Sequence, residues 1–183
     1  MIRNLLRARG NRRVIEILHG RIAAAARNPA LFLPPYGVPD TMEGRFDLLT
    51  LLATLLVRRL ESLPEPGREI AQGVVDCLFQ HLDRGLREMG VGDLAVPKRM
   101  KKLAEAFGGR SAAYRDTMNK RPDAFAGALA RNIYGLGVAD ERVLALADYA
   151  RRSIDQLERA DLMQILNDAS PFPDPELADV RRR

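Results

Sequence analysis

The 183 residues contain no tryptophan, and the soft metal donors come down to one cysteine, Cys77, and two histidines, His19 and His81. A single cysteine excludes an intrachain disulfide. So few donors spread along the chain make a structural zinc site implausible from sequence. A chain of this kind suits a reducing cytoplasm. The same scarcity removes most catalytic options. A serine or cysteine nucleophile needs an oriented base beside it, and neither histidine lies in a recognisable catalytic setting. Cys77 sits beside the apolar stripe of a helix and reads as a small buried hydrophobe. Aromatic residues make up only 5% of the chain, which leaves little to stack on nucleic-acid bases. No apolar run approaches the ~20 residues of a membrane span; the longest, Leu48–Val57, is bounded by Asp47 and Arg58. The basic start is not followed by the apolar stretch of a secretory signal.

What is present is helix. Leu, Ala, Val and Ile must build the core, and helix formers dominate with few β-branched runs. The pattern predicts an all-α fold, a single compact domain of about six to seven helices. Residues 1–10 form a basic N-terminal segment expected to fray, residues 11–166 the helical domain, and residues 167–183 a proline-rich loose tail. Helices are expected over Asn11–Asn28, from a capping box at Asp40–Glu43 to Ser62, over Arg68–Met89, from Pro97, and over Asp123–Tyr134, Asp140–Leu157 and Arg159–Leu166. The stretch LLTLLATLLV is apolar nearly all round and marks a central helix. Gly108-Gly109 predicts a kink or a close helix contact. Gly90 or Gly92 predicts a left-handed helix end. The turn Gly90–Asp93 resembles a phosphate loop only superficially, because it follows a helix and lacks the Lys-Ser/Thr ending.

Charge is unevenly spread. Residues 1–27 hold seven arginines against Glu16 alone, which is +6 of a net +5, so the remainder is slightly negative. That leader favours an anionic partner. A second anomaly is Lys98, Arg99, Lys101 and Lys102 in the opening turns of the helix from Pro97. Cations at a helix N-terminus oppose its dipole by roughly 0.3–1 kcal/mol each, and a local rule broken without evident gain often marks function. The bland account is that Asp76, Asp83, Glu88 and Asp93 neutralise these cations together with Arg84 and Arg87; the sharper one is an anionic or dipolar partner. Arg45 and Asp47, just ahead of the apolar helix, are expected to be partly buried, either as an internal lock or as a recognition surface.

Three segments resemble the ubiquinol–cytochrome c chaperone family: YGVPDTMEGRFDLL from Tyr36, DRGLREMGVGDLAVPKRMKKL from Asp83 with Phe107, Gly109-Arg110 and Tyr114, and Arg131-Asn132-Ile133-Tyr134. The resemblance covers roughly residues 11–165, with departures at Leu52, His81 and Gly108. It implies a non-enzymatic all-helical assembly factor, without cofactor or bound metal, that holds newly made cytochrome b for the respiratory cytochrome bc complex. It also implies a small helper protein, work near the ribosome or an anionic membrane surface, and no DNA. The chain lacks the long targeting extension of mitochondrial relatives, which implies a bacterial cytoplasmic protein, peripheral on the inner membrane. The partner is expected in a groove beside Arg45, Arg87, Asp93, Lys98, Lys101 and Arg110, with Asp47, Glu88, Arg99, Lys102, Tyr114 and Asn132 contributing. A basic helical RNA- or ribosome-binding module is the alternative.

Overall fold

The computed structural model describes residues 2–176, with side chains described from Asn11 onward. The side chains of residues 1–10 and the terminal arginines lie outside the described residues. Seven α-helices and no strand occur among them: α1 (Ile2–Ala26), α2 (Met42–Ser62), α3 (Gly67–Glu88), α4 (Val96–Thr117), α5 (Pro122–Leu129), α6 (Glu141–Arg159) and α7 (Leu162–Asn167). The all-α expectation holds. A 3-10 turn (Pro29–Phe32) follows α1, and a wider π-type turn (Ala130–Tyr134) extends α5.

Helix α2 is the axis of the fold. Leu48, Leu51, Leu52, Leu56 and Leu60 are wholly enclosed, and α1, α3, α4 and α6 all pack on this helix. Its two central hydroxyls are satisfied within the helix: Thr50 donates to the Phe46 carbonyl at 2.9 Å and Thr54 to the Thr50 carbonyl at 2.7 Å. Its cap is Thr41 rather than Asp40, with the hydroxyl accepting from the Gly44 N–H at 3.1 Å. Only glycine fits at position 44, where a Cβ would stand 2.0 Å from the Pro39 carbonyl oxygen.

Helix α3 ends on Gly90, at φ +78°, with the Val91 N–H bonded back to the Leu86 carbonyl and the Gly90 N–H to the Arg87 carbonyl. That is a Schellman end, so the left-handed position is Gly90 and not Gly92. Helix α4 begins at Val96 and carries the four cations in its opening turns, as expected. It runs unbroken through Gly108-Gly109, where a Cβ at either position would meet nothing within 4 Å. The expectation of a close helix contact there fails, because both glycines face outward.

Arginines tie the ends of the domain together. Arg21 of α1 donates to the Ile165 and Leu166 carbonyls of α7 at 2.6 and 2.8 Å. Arg59 of α2 reaches the Ala160 carbonyl at 2.8 Å, and Arg58 pairs with Glu158 at 3.2 Å. The segment after Asn167, expected loose, is pinned as far as Glu176. Phe172 is buried in the core, the Glu176 N–H bonds the Tyr36 hydroxyl at 2.9 Å, and Glu176 pairs with Arg152. One apolar ring among the prolines is enough to offset the disorder that their composition favours.

Candidate functional site

Where α1, α2, α3 and the start of α4 meet, they leave an open groove of about 600 Å³. Its floor and walls are mostly apolar: Ala23 and Ala26 from α1, Phe46 and Leu49 from α2, Leu78, Leu82 and Leu86 from α3, and Leu103 from α4, with His19 and His81 at one side. Met42 and Met89 stand on its edge, 63% and 55% exposed. Methionine is flexible and polarizable, which suits an apolar surface that must adapt to what it covers. Arg27, Arg45, Arg84 and Glu88 form the charged rim. Arg45 is fixed there by Asp40, 2.7 Å from its Nε, and by stacking 5.1 Å from the Phe32 ring.

Behind Arg45 lies a second, buried pair. Asp47 is 5% exposed, and its Oδ1 is 2.8 Å from the Arg110 Nε of α4. Burial pushes its carboxyl up to about 6, against the pull of Arg110. Arg110 also lies over the Phe46 ring at 5.9 Å. The Tyr114 hydroxyl, one turn on, is enclosed without a hydrogen-bond partner among the described residues, and burial raises its pKa strongly. The internal lock expected at the start of α2 is therefore Asp47 with Arg110, and Arg45 takes Asp40 instead.

Arg87 closes the end of α3 onto the turn that follows. It holds Asp83 at 2.7 Å and Asp93 at 2.6 Å, and its hydrogen bonds keep the Asp83 carboxyl below the usual carboxylate range. These carboxylates are thereby spent on Arg87 and not on the cations of α4. Of those four, Lys101 alone has an ion partner among the described residues, Glu105 at 3.9 Å; Lys98, Arg99 and Lys102 are exposed and unpaired. Beside them Leu94 is 99% exposed. Thus Arg45 and Glu88 line the groove, Lys98, Arg99, Lys101 and Lys102 form a separate basic face, and Asp47 and Arg110 form the interior lock with Tyr114 buried beside it. Asn132 stands apart on the π-type turn, donating to the Ala128 carbonyl at 2.9 Å.

The fold also assembles residues that sequence reading left scattered. His19 of α1 and Cys77 and His81 of α3 bring one donor atom each to within 4.8 Å of the others. The two imidazoles stack at 4.1 Å. Burial, then the nearby His81 and Arg27, lowers the His19 pKa to about 4. Burial pushes the Cys77 thiol up. The i,i+4 spacing of Cys77 and His81 was visible in the sequence; the approach of His19 from another helix was not.

A family model described as ubiquinol–cytochrome C chaperone matches residues 35–172. The crystal structure of the Cbp3 homolog from Brucella abortus is similar over 95% of this chain and 97% of its own, at 32% identity and a TM-score of 0.79. No curated protein sequence matches.

Proposed function

The chain belongs to the ubiquinol–cytochrome C chaperone family, and from that premise we propose that it is a non-enzymatic assembly chaperone that holds newly made cytochrome b through the groove between α1, α2, α3 and α4. The observation that carries this reading is the groove itself: an apolar surface edged by exposed Met42 and Met89 and rimmed by arginines. A membrane protein outside its bilayer exposes apolar helix faces that need covering, together with polar ends that cations can meet. No described helix of the chaperone is long and apolar enough to cross a membrane, so it would act on its client from the surface. The unpaired cations of α4, with Leu94 beside them, form a second contact for the anionic face of the inner membrane or for a small helper protein.

The test is a tagged pull-down from respiring cells, probed for cytochrome b. One variant carries Met42→Glu and Met89→Glu; another carries glutamate at Lys98, Arg99, Lys101 and Lys102. All of these side chains are at the surface, so circular dichroism should match that of the parent. Cytochrome b captured by the parent and lost with the methionine variant supports the groove. Equal capture by all three proteins, or by none, sinks the reading. The unpaired cations also favour an RNA or ribosomal contact. That contact requires nucleic-acid affinity that falls steeply with salt in the parent and disappears in the four-glutamate protein.

A further inference from the structure

We propose that His19, Cys77 and His81 form a binding site for a zinc-class divalent ion, with two imidazole nitrogens and one thiolate as ligands. The chain has no other cysteine or histidine, and the fold brings all three together although His19 comes from a different helix. The approach of α1 to α3 is built in: at Gly73, one turn before Cys77, a Cβ would stand 2.2 Å from the Ile15 side chain. Without a side chain at 73, the two helices come close enough for His19 to face Cys77.

The donors are prepared for an ion. His19 is buried, and among the described residues no hydrogen bond reaches either of its ring nitrogens. His19 also lines both adjoining clefts, so its unbonded nitrogens are open to an ion. His81 places Nδ1 2.9 Å from the Cys77 carbonyl oxygen. The same nitrogen lies 3.6 Å from the Cys77 Sγ, so Nδ1 is the ligand atom on that side and turns from the carbonyl to the ion. Zinc bonds of about 2.0–2.3 Å at the tetrahedral angle set neighbouring donors ~3.3–3.6 Å apart. Donors already within 4.8 Å need only a small swing of His81, which is exposed and free to make it. Binding converts the Cys77 thiol to thiolate and releases its proton to solvent. The fourth position opens on a cleft of about 800 Å³ edged by Glu16, Asp76 and Gln80, where water completes the tetrahedron. Two nitrogens and one sulfur form a borderline-soft set that favours zinc over magnesium or calcium. His19 and His81 also line the proposed client groove, but the metal titration below uses no client and stands whether or not that reading does.

The experiment titrates Co²⁺, a coloured stand-in for zinc, into the metal-free full chain under reducing conditions. The expected result is one equivalent bound, with the sulfur-to-cobalt charge-transfer band and the intense visible bands of tetrahedral cobalt, both erased by Zn²⁺. Cys77→Ser should abolish the charge-transfer band. Because Cys77 is buried, His81→Gln at the surface is the safer variant: it should lower affinity by more than the ~10–100-fold that loss of an outer partner costs. Zn²⁺ should raise the thermal midpoint of the parent and not that of His81→Gln. Absence of a sulfur-to-cobalt band in the parent overturns the proposal, as does cobalt binding that is unchanged in His81→Gln.

Discussion

Replacing Asp47 by asparagine keeps its shape and removes its charge, and so isolates what burying that carboxylate does to stability. The folded-state pKa is about 6 against an ordinary 3.8. Between those values the native state binds more protons than the unfolded chain, so stability falls as pH rises. The full effect is complete below the unfolded value and lost through the folded one. At ~1.36 kcal/mol per pKa unit, the span amounts to about 3 kcal/mol, of which about 2 kcal/mol falls between pH 4.5 and 7.5. The assay is urea unfolding of parent and Asp47→Asn at both pH values. Relative to the variant, the parent should weaken by about 2 kcal/mol from the lower to the higher pH, near 1 M in midpoint for a slope of ~2 kcal/mol/M. His19 gives the opposite slope, since its pKa of about 4 lies below the ordinary 6.5. It is present in both proteins and drops out of the difference. Profiles that stay parallel within about 0.5 kcal/mol across this range would refute a buried, destabilised carboxylate at Asp47.

Tyr114→Phe removes a buried hydroxyl that has no hydrogen-bond partner among the described residues, so thermal unfolding should show no loss or a slight gain; a loss beyond ~1.5 kcal/mol would reveal a hydrogen bond at that oxygen. Phe172→Ala empties the ring that pins the segment after α7, and should lower stability by ~3 kcal/mol in urea unfolding. A change under ~1 kcal/mol would mean that this ring does not hold the segment.

Features that depend on neighbouring residues could be read from the sequence. The apolar girdle of Leu48–Val57 announced the central helix, and the glycine at 90 announced the end of α3, because both are decided within a turn or two. The partner of Asp47 could not be read: Arg110 lies on another helix, and nothing near Asp47 in sequence distinguishes it from Arg45. The same applies to Arg21, whose donors cap a helix near the other end of the chain. For the site, the cations of α4 were legible as an oddity. Whether they were free depended on Asp83 and Asp93 choosing Arg87. The groove was only half legible. Its leucines and methionines look like any core stripe until the helices leave a gap between them. Over residues 168–176 composition misleads, because proline content says nothing of where a single phenylalanine docks.

The clasp of Arg21 on α7 has a further consequence for how the protein is made. Its two hydrogen bonds join residues 144 and 145 positions apart, and the bond from Glu176 to Tyr36 spans 140. A chain synthesised from its N-terminus releases α1 first, yet the anchors for α1 and for the loop after it emerge last. Contacts of such sequence separation close late and slowly. Until translation reaches α6 and α7, the faces of α2 and α1 that they cover remain open, so the chaperone itself passes through a stage in which it resembles the kind of client it is proposed to protect.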